Sequence, residues 1–226
     1  MTSQPAPARP SASVVIARHG ADALEILMLR RNQNIAFHGG AWVFPGGRVD
    51  DADHAGADGT ELDVARRAAV RETREETGLA PAPHSLLPFA HWTTPVGLPK
   101  RFATWFFLAP LGENAAVTVD NDEIIDYRWM TPAATLAAHA AGEIDLPAPT
   151  YVTLLRFSNY ASLDTLVAAL AAGAVERFVP RVVKVDGGRC TVYEEDVAYE
   201  SLDLEVPGPR HRLIMRGNEF SYLREP

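Results

Sequence analysis

Apolar and polar positions at the start of the chain come in short bursts. Residues 12–18 (ASVVIAR) and 24–30 (LEILMLR) are brief β-branched or leucine-rich runs separated by the turn-like patch HGADA, and this pattern predicts two paired strands. Residues 41–47 (AWVFPGG) read as another short strand, stopped by Pro-Gly-Gly, where backbone can approach a ligand closely. The following segment, RVDDADHAGADG, is acidic and irregular. The period then changes. Thr60, with Asp63 three residues on, forms a capping-box pattern ahead of a helix over residues 61–77, and Gly78 supplies its stop. On a helical wheel Leu62, Ala69, Val70, Thr73 and Thr77 gather on one side, while Glu72, Glu75 and Glu76 share the adjoining flank with Ala65 and Ala68.

Further strands are predicted at 102–109 and 124–130, with a helix after Thr131-Pro132. Strands before and after a helix, with a last helix returning, indicate an α/β sandwich. Beyond about residue 146 the pattern changes again. Helices are expected over 151–158 and 163–172, then a hairpin in which RVVKV and CTVY flank Asp186-Gly187-Gly188, with RLIMR at 212–216 adding to its edge. The chain therefore divides into a loose tail (1–10), a main domain (11–145) and an appendage (146–226) packed on it.

Composition narrows the partners. With 47% hydrophobic and 22% charged residues the 226-residue chain has a globular profile, and its net charge of -8 lacks the basic surface that nucleic-acid backbones require. The single cysteine, Cys190, cannot form an intramolecular disulfide and fits a reducing cytoplasm. The start, MTSQPAPARP, has no apolar run, so it reads as neither a signal peptide nor a membrane span, and no later stretch approaches the roughly 18 apolar residues of a spanning helix. A cytoplasmic protein with no membrane partner is expected.

Glu72, Glu75 and Glu76 stand at i, i+3 and i+4, so three like charges crowd one turn. Such a run ordinarily just faces water. Here Ala65 and Ala68 are read as leaving room beside the acids, and clustered carboxylate oxygens are what Mg²⁺ or Mn²⁺ prefer. Arg30, Arg31, Lys100 and Arg101 are candidate phosphate partners, and Phe37, Trp42 or Trp92 can stack on a base. The plainer alternatives are surface charges and core aromatics. His38 and His91 are read as hydrogen-bonding residues outside the catalytic set.

The run REtrEEtGL at 71–79 resembles the signature of the Nudix hydrolases, a glycine and an acidic residue followed by REuxEExGu: Arg71, Glu72, Glu75, Glu76, Gly78 and Leu79 match, and Thr73 stands where an aliphatic residue is usual. The runs LMLRRNQNIAFHGGAWVFPGGRVDDAD and TTPVGLPKRFATWFF are similar to a subset of that family that includes peroxisomal coenzyme A diphosphatases. The likeness spans about residues 12–150. It implies a Nudix-type α/β/α sandwich with a mixed sheet, the C-terminal helices and hairpin standing outside it. It also implies Glu72, Glu75 and Glu76 as ligands of Mg²⁺ or Mn²⁺, the Gly47 carbonyl as a further ligand, and Arg71 as the partner that orients the acids.

Glu123, six residues before Trp129, stands where family members place an extra ligand or base, with Asp120 and Asp122 as substitutes and a polar turn as the plain alternative. The general base is then Glu75 or Glu123. Asp63 occupies the position of a family glutamate but points away from the acid flank, so it is read as a helix-start residue.

The implied reaction is hydrolysis of a diphosphate in a nucleoside diphosphate linked to another group, with coenzyme A or acyl-CoA favoured. ADP-ribose, NADH, nucleotide sugars and dinucleoside polyphosphates stay open. A second class is a sensing domain that binds a nucleotide without cutting it. That reading requires eroded carboxylates and a basic appendage, whereas the acids are intact and Glu194, Glu195, Asp196, Glu200, Asp203 and Glu205 populate the appendage. A homodimer is compatible with the family resemblance.

Overall fold

The computed structural model describes residues 6–21, 23–35, 38–55, 59–112 and 115–225. Strand β1 (Arg9–His19) carries Val14, Val15, Ile16 and Ala17, all shut off from solvent, so a hydrophobic layer covers each of its faces. β2 (Leu24–Arg31) lies antiparallel beside it with Ala17 opposite Ile26, and β6 (Phe102–Pro110) lies parallel on the other side with Val14 opposite Phe107. Among the described residues eight strands make this mixed sheet. Its order is β3 (Trp42–Val43), β2, β1, β6, β5 (Leu87–Thr93), β8 (Glu176–Phe178), with β4 (Gly46–Arg48) on the first part of β1 and β7 (Ile124–Met130) on β2.

Alternation along the strands sorts side chains into two cores. Val14, Ile16, Leu27, Leu29 and Phe107 pack with Ala65, Ala68 and Ala69 of helix α2 (Glu61–Thr77). Val15, Ile26, Met28 and Leu108 face the other way. They meet Val152, Leu154 and Phe157 of α4 (Ala148–Phe157) and Leu163, Leu166 and Leu170 of α5 (Leu163–Ala172). Helices thus cover both faces of a mixed sheet, as a sandwich requires, but its second layer is α4 and α5, which the sequence reading sets outside the sandwich; α3 (Pro132–Ala140) packs against α4. One expectation is corrected: Ala65 and Ala68 are not open space beside the acids but the surface on which α2 rests, at 1% and 0% exposure.

The ends of α2 follow their local chemistry. Asp63 Oδ2 accepts from the Thr60 amide at 3.1 Å and Thr60 Oγ1 at 3.0 Å. Gly78 takes φ 72° and donates to the Arg74 carbonyl at 2.9 Å, a left-handed stop that glycine adopts without steric cost. The acidic segment ahead of α2 is not wholly irregular. It holds a short helix, α1 (Asp51–His54), started by Asp53 Oδ2 accepting from the Asp50 amide at 2.8 Å.

Beyond residue 172 the expected hairpin, β9 (Arg181–Val185) and β10 (Gly188–Val192), widens into a second antiparallel sheet with β11 (Arg210–Arg216) and β12 (Glu219–Glu225). Its Tyr193, Leu213 and Met215 join the core under α4 and α5, and β8 pairs with β5 in the large sheet. Cys190 is a buried free thiol beside Val192 and Ala198. Among the described residues no helix is long and apolar enough to cross a membrane.

Candidate active site

The Pro-Gly-Gly turn and the last turns of α2 meet at the start of β1. Gly46 takes φ 152°, and its amide donates to Glu76 Oε2 at 2.9 Å. A methyl group on Gly47 would collide with the Glu72 carboxylate, so the bare backbone is what lets that acid lie against the turn. Glu76 is 5% exposed. Burial pushes its carboxyl up to about 8; the Gly46 amide and the Arg31 charge oppose the rise, and the charges of Glu72 and Glu123 add to it. Burial likewise raises the Glu72 carboxyl, against the pull of Arg71.

Arg71 ties the acids together, and all five of its N–H donors are used. Nε reaches Asp53 Oδ1 at 3.1 Å; Nη2 reaches Asp53 Oδ2 and the Arg48 carbonyl, both at 2.9 Å; Nη1 reaches Glu72 Oε1 at 2.9 Å and Glu75 Oε2 at 3.1 Å. Burial alone would raise the Asp53 carboxyl, but the Arg71 hydrogen bonds, the Asp50 amide and the charges of Arg71 and His54 together outweigh it and hold it low. Sequence reasoning missed Asp53. The signal was available, because Asp50 and Asp53 have the same spacing as Thr60 and Asp63. Asp63 itself stays at the helix start, paired with Arg66 at 3.1 Å.

On the other rim, Arg31 Nη2 lies 3.5 Å from Glu123 Oε2. Asn32 staples the two strands by donating from its amide to the Glu123 carbonyl at 2.8 Å and from Nδ2 to the Asp122 carbonyl at 2.9 Å. Arg31 Nε is a buried donor without a partner among the described residues. Asp120 Oδ1 accepts from the amides of Asp122, Glu123 and Ile124 at 2.6, 2.8 and 3.1 Å, which commits it to the turn and leaves Glu123 as the acid facing Arg31. Glu72, Glu75, Glu76, Gly47, Arg71, Arg31 and Glu123 are therefore brought to one end of the sheet.

The other substrate candidates are not gathered there. Arg30 shares the strand face of Ile26 and Met28, away from α2. Arg101 donates Nε to the Thr94 carbonyl at 3.1 Å and Nη1 to the Ala6 carbonyl at 2.8 Å, a backbone tie. Lys100 is exposed in the β5–β6 loop. Phe37 lies outside the described residues. Trp42 is buried beneath the Arg128 guanidinium, and Trp92 is buried and stacked on Phe178, so both are core aromatics. His91 is buried against Trp105. His38 takes φ 55°, and burial, then Arg31, then Arg189 lower its pKa.

Among the described residues no three acid, imidazole or thiol groups gather as a metal centre; Arg71 engages Glu72 and Glu75 instead. The donor set still suits a hard divalent cation: carboxylates on one helix turn, a bare glycine backbone beside them, and a buried Glu76 carboxyl that, among the described residues, accepts from the Gly46 amide.

Known proteins resemble this chain in sequence and in fold. A Caenorhabditis elegans protein that carries the Nudix name is 27% identical over 192 residues, 69% of this chain and 62% of that one. The acyl-coenzyme A diphosphatase of Xenopus laevis is 23% identical, over 88% of this chain and 77% of the frog protein. The chain thus spans less than two thirds of the worm relative's length. The crystal structure of a Nudix hydrolase from Alicyclobacillus acidocaldarius has the same fold, with TM-score 0.65 and 22% identity over 74% of this chain and 99% of that one. Nudix hydrolases generally use divalent metal ions. The NUDIX domain model matches residues 7–148, more than half of the 226, with α2 and its acids inside the match, and the chain belongs to the Nudix family.

Proposed function

We propose that the chain hydrolyses a diphosphate linkage in a nucleoside diphosphate joined to another group, with coenzyme A or acyl-CoA as the favoured substrate and Mg²⁺ or Mn²⁺ as the metal. The observation that carries the reading is the acid cluster at the turn: Glu76 on the Gly46 amide, Glu72 against Gly47, and Arg71 holding Glu72 and Glu75. The preference for coenzyme A is supported by the frog relative's name and by the sequence flanking the Pro-Gly-Gly turn.

Glu72, Glu75 and Glu76 would hold the metal, with the Gly47 carbonyl and Glu123 as further donors. Bound there, the ion would neutralise diphosphate oxygens and lower the pKa of the attacking water. The chain's own residues supply the rest. Arg31, whose Nη2 lies 3.5 Å from Glu123 Oε2, would pair with a phosphate oxygen. Glu75 and Glu123, with side chains 53% and 63% exposed, reach solvent and are the two carboxylates able to take a proton from water. Assembly as a homodimer accompanies the reading and is checked by light scattering.

The test is a panel of coenzyme A, acyl-CoA, ADP-ribose, NADH and nucleotide sugars, each incubated with Mg²⁺ or Mn²⁺, with Glu75→Gln and Glu76→Gln as controls. Coenzyme A is expected to be cut by the native chain and far more slowly by Glu76→Gln. Cleavage of none of the panel would sink the enzyme reading; cleavage of ADP-ribose without coenzyme A would sink the favoured substrate.

A further inference from the structure

Lys184 of β9 and Arg189 of β10 stand directly opposite each other across the hairpin, and like charges in that position repel. Both are exposed. Arg181, Arg212 and Arg224 of the same sheet are each paired with a carboxylate, whereas among the described residues neither Lys184 nor Arg189 has an acidic partner. An anion held between the two would remove their repulsion.

Their row turns toward the large sheet. Arg189 lies opposite Met215, and Met215 opposite Phe220, so these side chains and Lys184 share one face. Met215 is 5% exposed in the core under α4 and α5, and the Phe220 ring stands 4.5 Å from His139. Lys184 and Arg189 continue that face past its covered part, where Val182 is 42% exposed.

The turns at this end of the C-terminal sheet adjoin the chain that leads to the glutamate site. Arg216 Nε donates to the Asp186 carbonyl at 3.0 Å, and a methyl group on Gly142 would press on Asn218. Three residues beyond Gly142, the Asp145 carbonyl accepts from the Trp42 amide at 2.9 Å, at the head of the strand that runs into Pro45-Gly46-Gly47. The turn just before Trp42 is tied to Arg31: Gly40 donates to the Arg31 carbonyl at 3.1 Å, and Arg31 to the Ala41 carbonyl at 3.0 Å. His38 of that turn is within electrostatic reach of both ends, since after burial the charges of Arg31 and then Arg189 lower its pKa.

We infer that Lys184 and Arg189 form a phosphate subsite, built by the C-terminal sheet, that takes a phosphate monoester of the substrate other than its diphosphate. In coenzyme A that group is the ribose 3′-phosphate, which ADP-ribose and NADH lack. The hairpin then selects among diphosphates by binding and not by chemistry. The inference rests on the hydrolase reading above and names the part of the substrate that this chain recognises.

The test compares coenzyme A with dephospho-coenzyme A, which keeps the diphosphate and lacks the 3′-phosphate, on the native chain, Lys184→Gln, Arg189→Gln and the double variant. Both positions are on the surface, so the variants should fold as the native chain does. For the native chain KM is expected to be about tenfold lower for coenzyme A, with similar kcat. The double variant is expected to erase that preference by raising KM for coenzyme A alone, leaving dephospho-coenzyme A within about twofold. Calorimetric binding of adenosine 3′,5′-bisphosphate against adenosine 5′-monophosphate repeats the comparison with no diphosphate to cut.

Equal KM for the two coenzymes, or a double variant that raises KM on both alike, would overturn the inference and leave the hydrolase reading standing. A chain that cleaves neither, yet binds the bisphosphate more tightly than the monophosphate through these two residues, would sink the hydrolase reading and keep the subsite. One that does neither overturns both.

Discussion

Arg71 and Arg212 each grip an aspartate through Nε and Nη2, in different surroundings. Arg212 Nε meets Asp196 Oδ2 at 2.7 Å and Nη2 meets Oδ1 at 2.6 Å; the Ala198 and His211 amides also donate to that carboxylate, both at 2.8 Å, and Nη1 goes to the Leu204 carbonyl at 3.2 Å. The pair is closed: both side chains are buried, and the partners among the described residues are one acid and backbone. Around Arg71 the fork is open on one side, because Nη1 faces two more carboxylates and one of them, Glu75, is half exposed. The same fork therefore does two jobs. In the C-terminal sheet it satisfies a buried charge and locks a loop; at the end of the large sheet it delivers a measured positive charge to an acid cluster that would otherwise repel itself.

The largest expected effect breaks the closed fork. Asp196→Ala leaves Arg212 buried and unpaired, which costs about 3–5 kcal/mol, measured by urea unfolding, while Mn²⁺ affinity of the folded fraction stays native. Next comes Glu76→Gln, expected to lower kcat for coenzyme A by on the order of 10²–10³ while unfolding as the native chain does or later. If either variant shows the other's phenotype, the division of labour is wrong.

The two regions should also titrate in opposite directions. Burial raises the Asp196 carboxyl, but Arg212 and the two amides more than reverse this and hold it at about 2, below its ordinary 3.8. Its stability contribution is therefore present above the ordinary value and lost as pH falls toward 2. Glu76 is raised from 4.5 to about 8, so its contribution is present below its ordinary value and lost as pH rises through 8. Metal-free protein should lose on the order of a few kcal/mol between pH 5 and 8 from this group. Thermal unfolding of Glu76→Gln across that range should show the decline flattened. The smallest effect is assigned to Glu123→Gln, about tenfold or less in kcat, since Glu75 shares the candidacy for the base.

Legibility in the sequence followed locality. The limits of α2 were readable because Thr60, Asp63 and Gly78 each act within one turn of their own position. The acids were readable because helical spacing alone sets them on one flank. What failed was direction: Ala65 and Ala68 lie near the acids on a wheel, but small side chains are also what a helix needs to sit close on a sheet. Strand β5 was hidden by Pro88 and His91 within its run, and β8 is too short to show a period. Arg30 and Arg31 look equivalent in sequence and are separated only by strand alternation, which sends Arg31 toward Glu123 and Arg30 to the opposite face. Asp53 could be suspected as a helix-start residue from its spacing to Asp50, but its contact with Arg71 spans 18 positions and exists only once α1 folds back.

The account turns on whether the acids of α2 cleave a diphosphate with a divalent ion, and one measurement addresses that directly: products from coenzyme A incubated with native chain and Mn²⁺, with and without excess chelator. The predicted result is two phosphate monoesters, formed by adding water across the diphosphate, and their loss when the ion is removed. Intact coenzyme A after incubation with Mn²⁺, or undiminished cleavage in the presence of chelator, would contradict it.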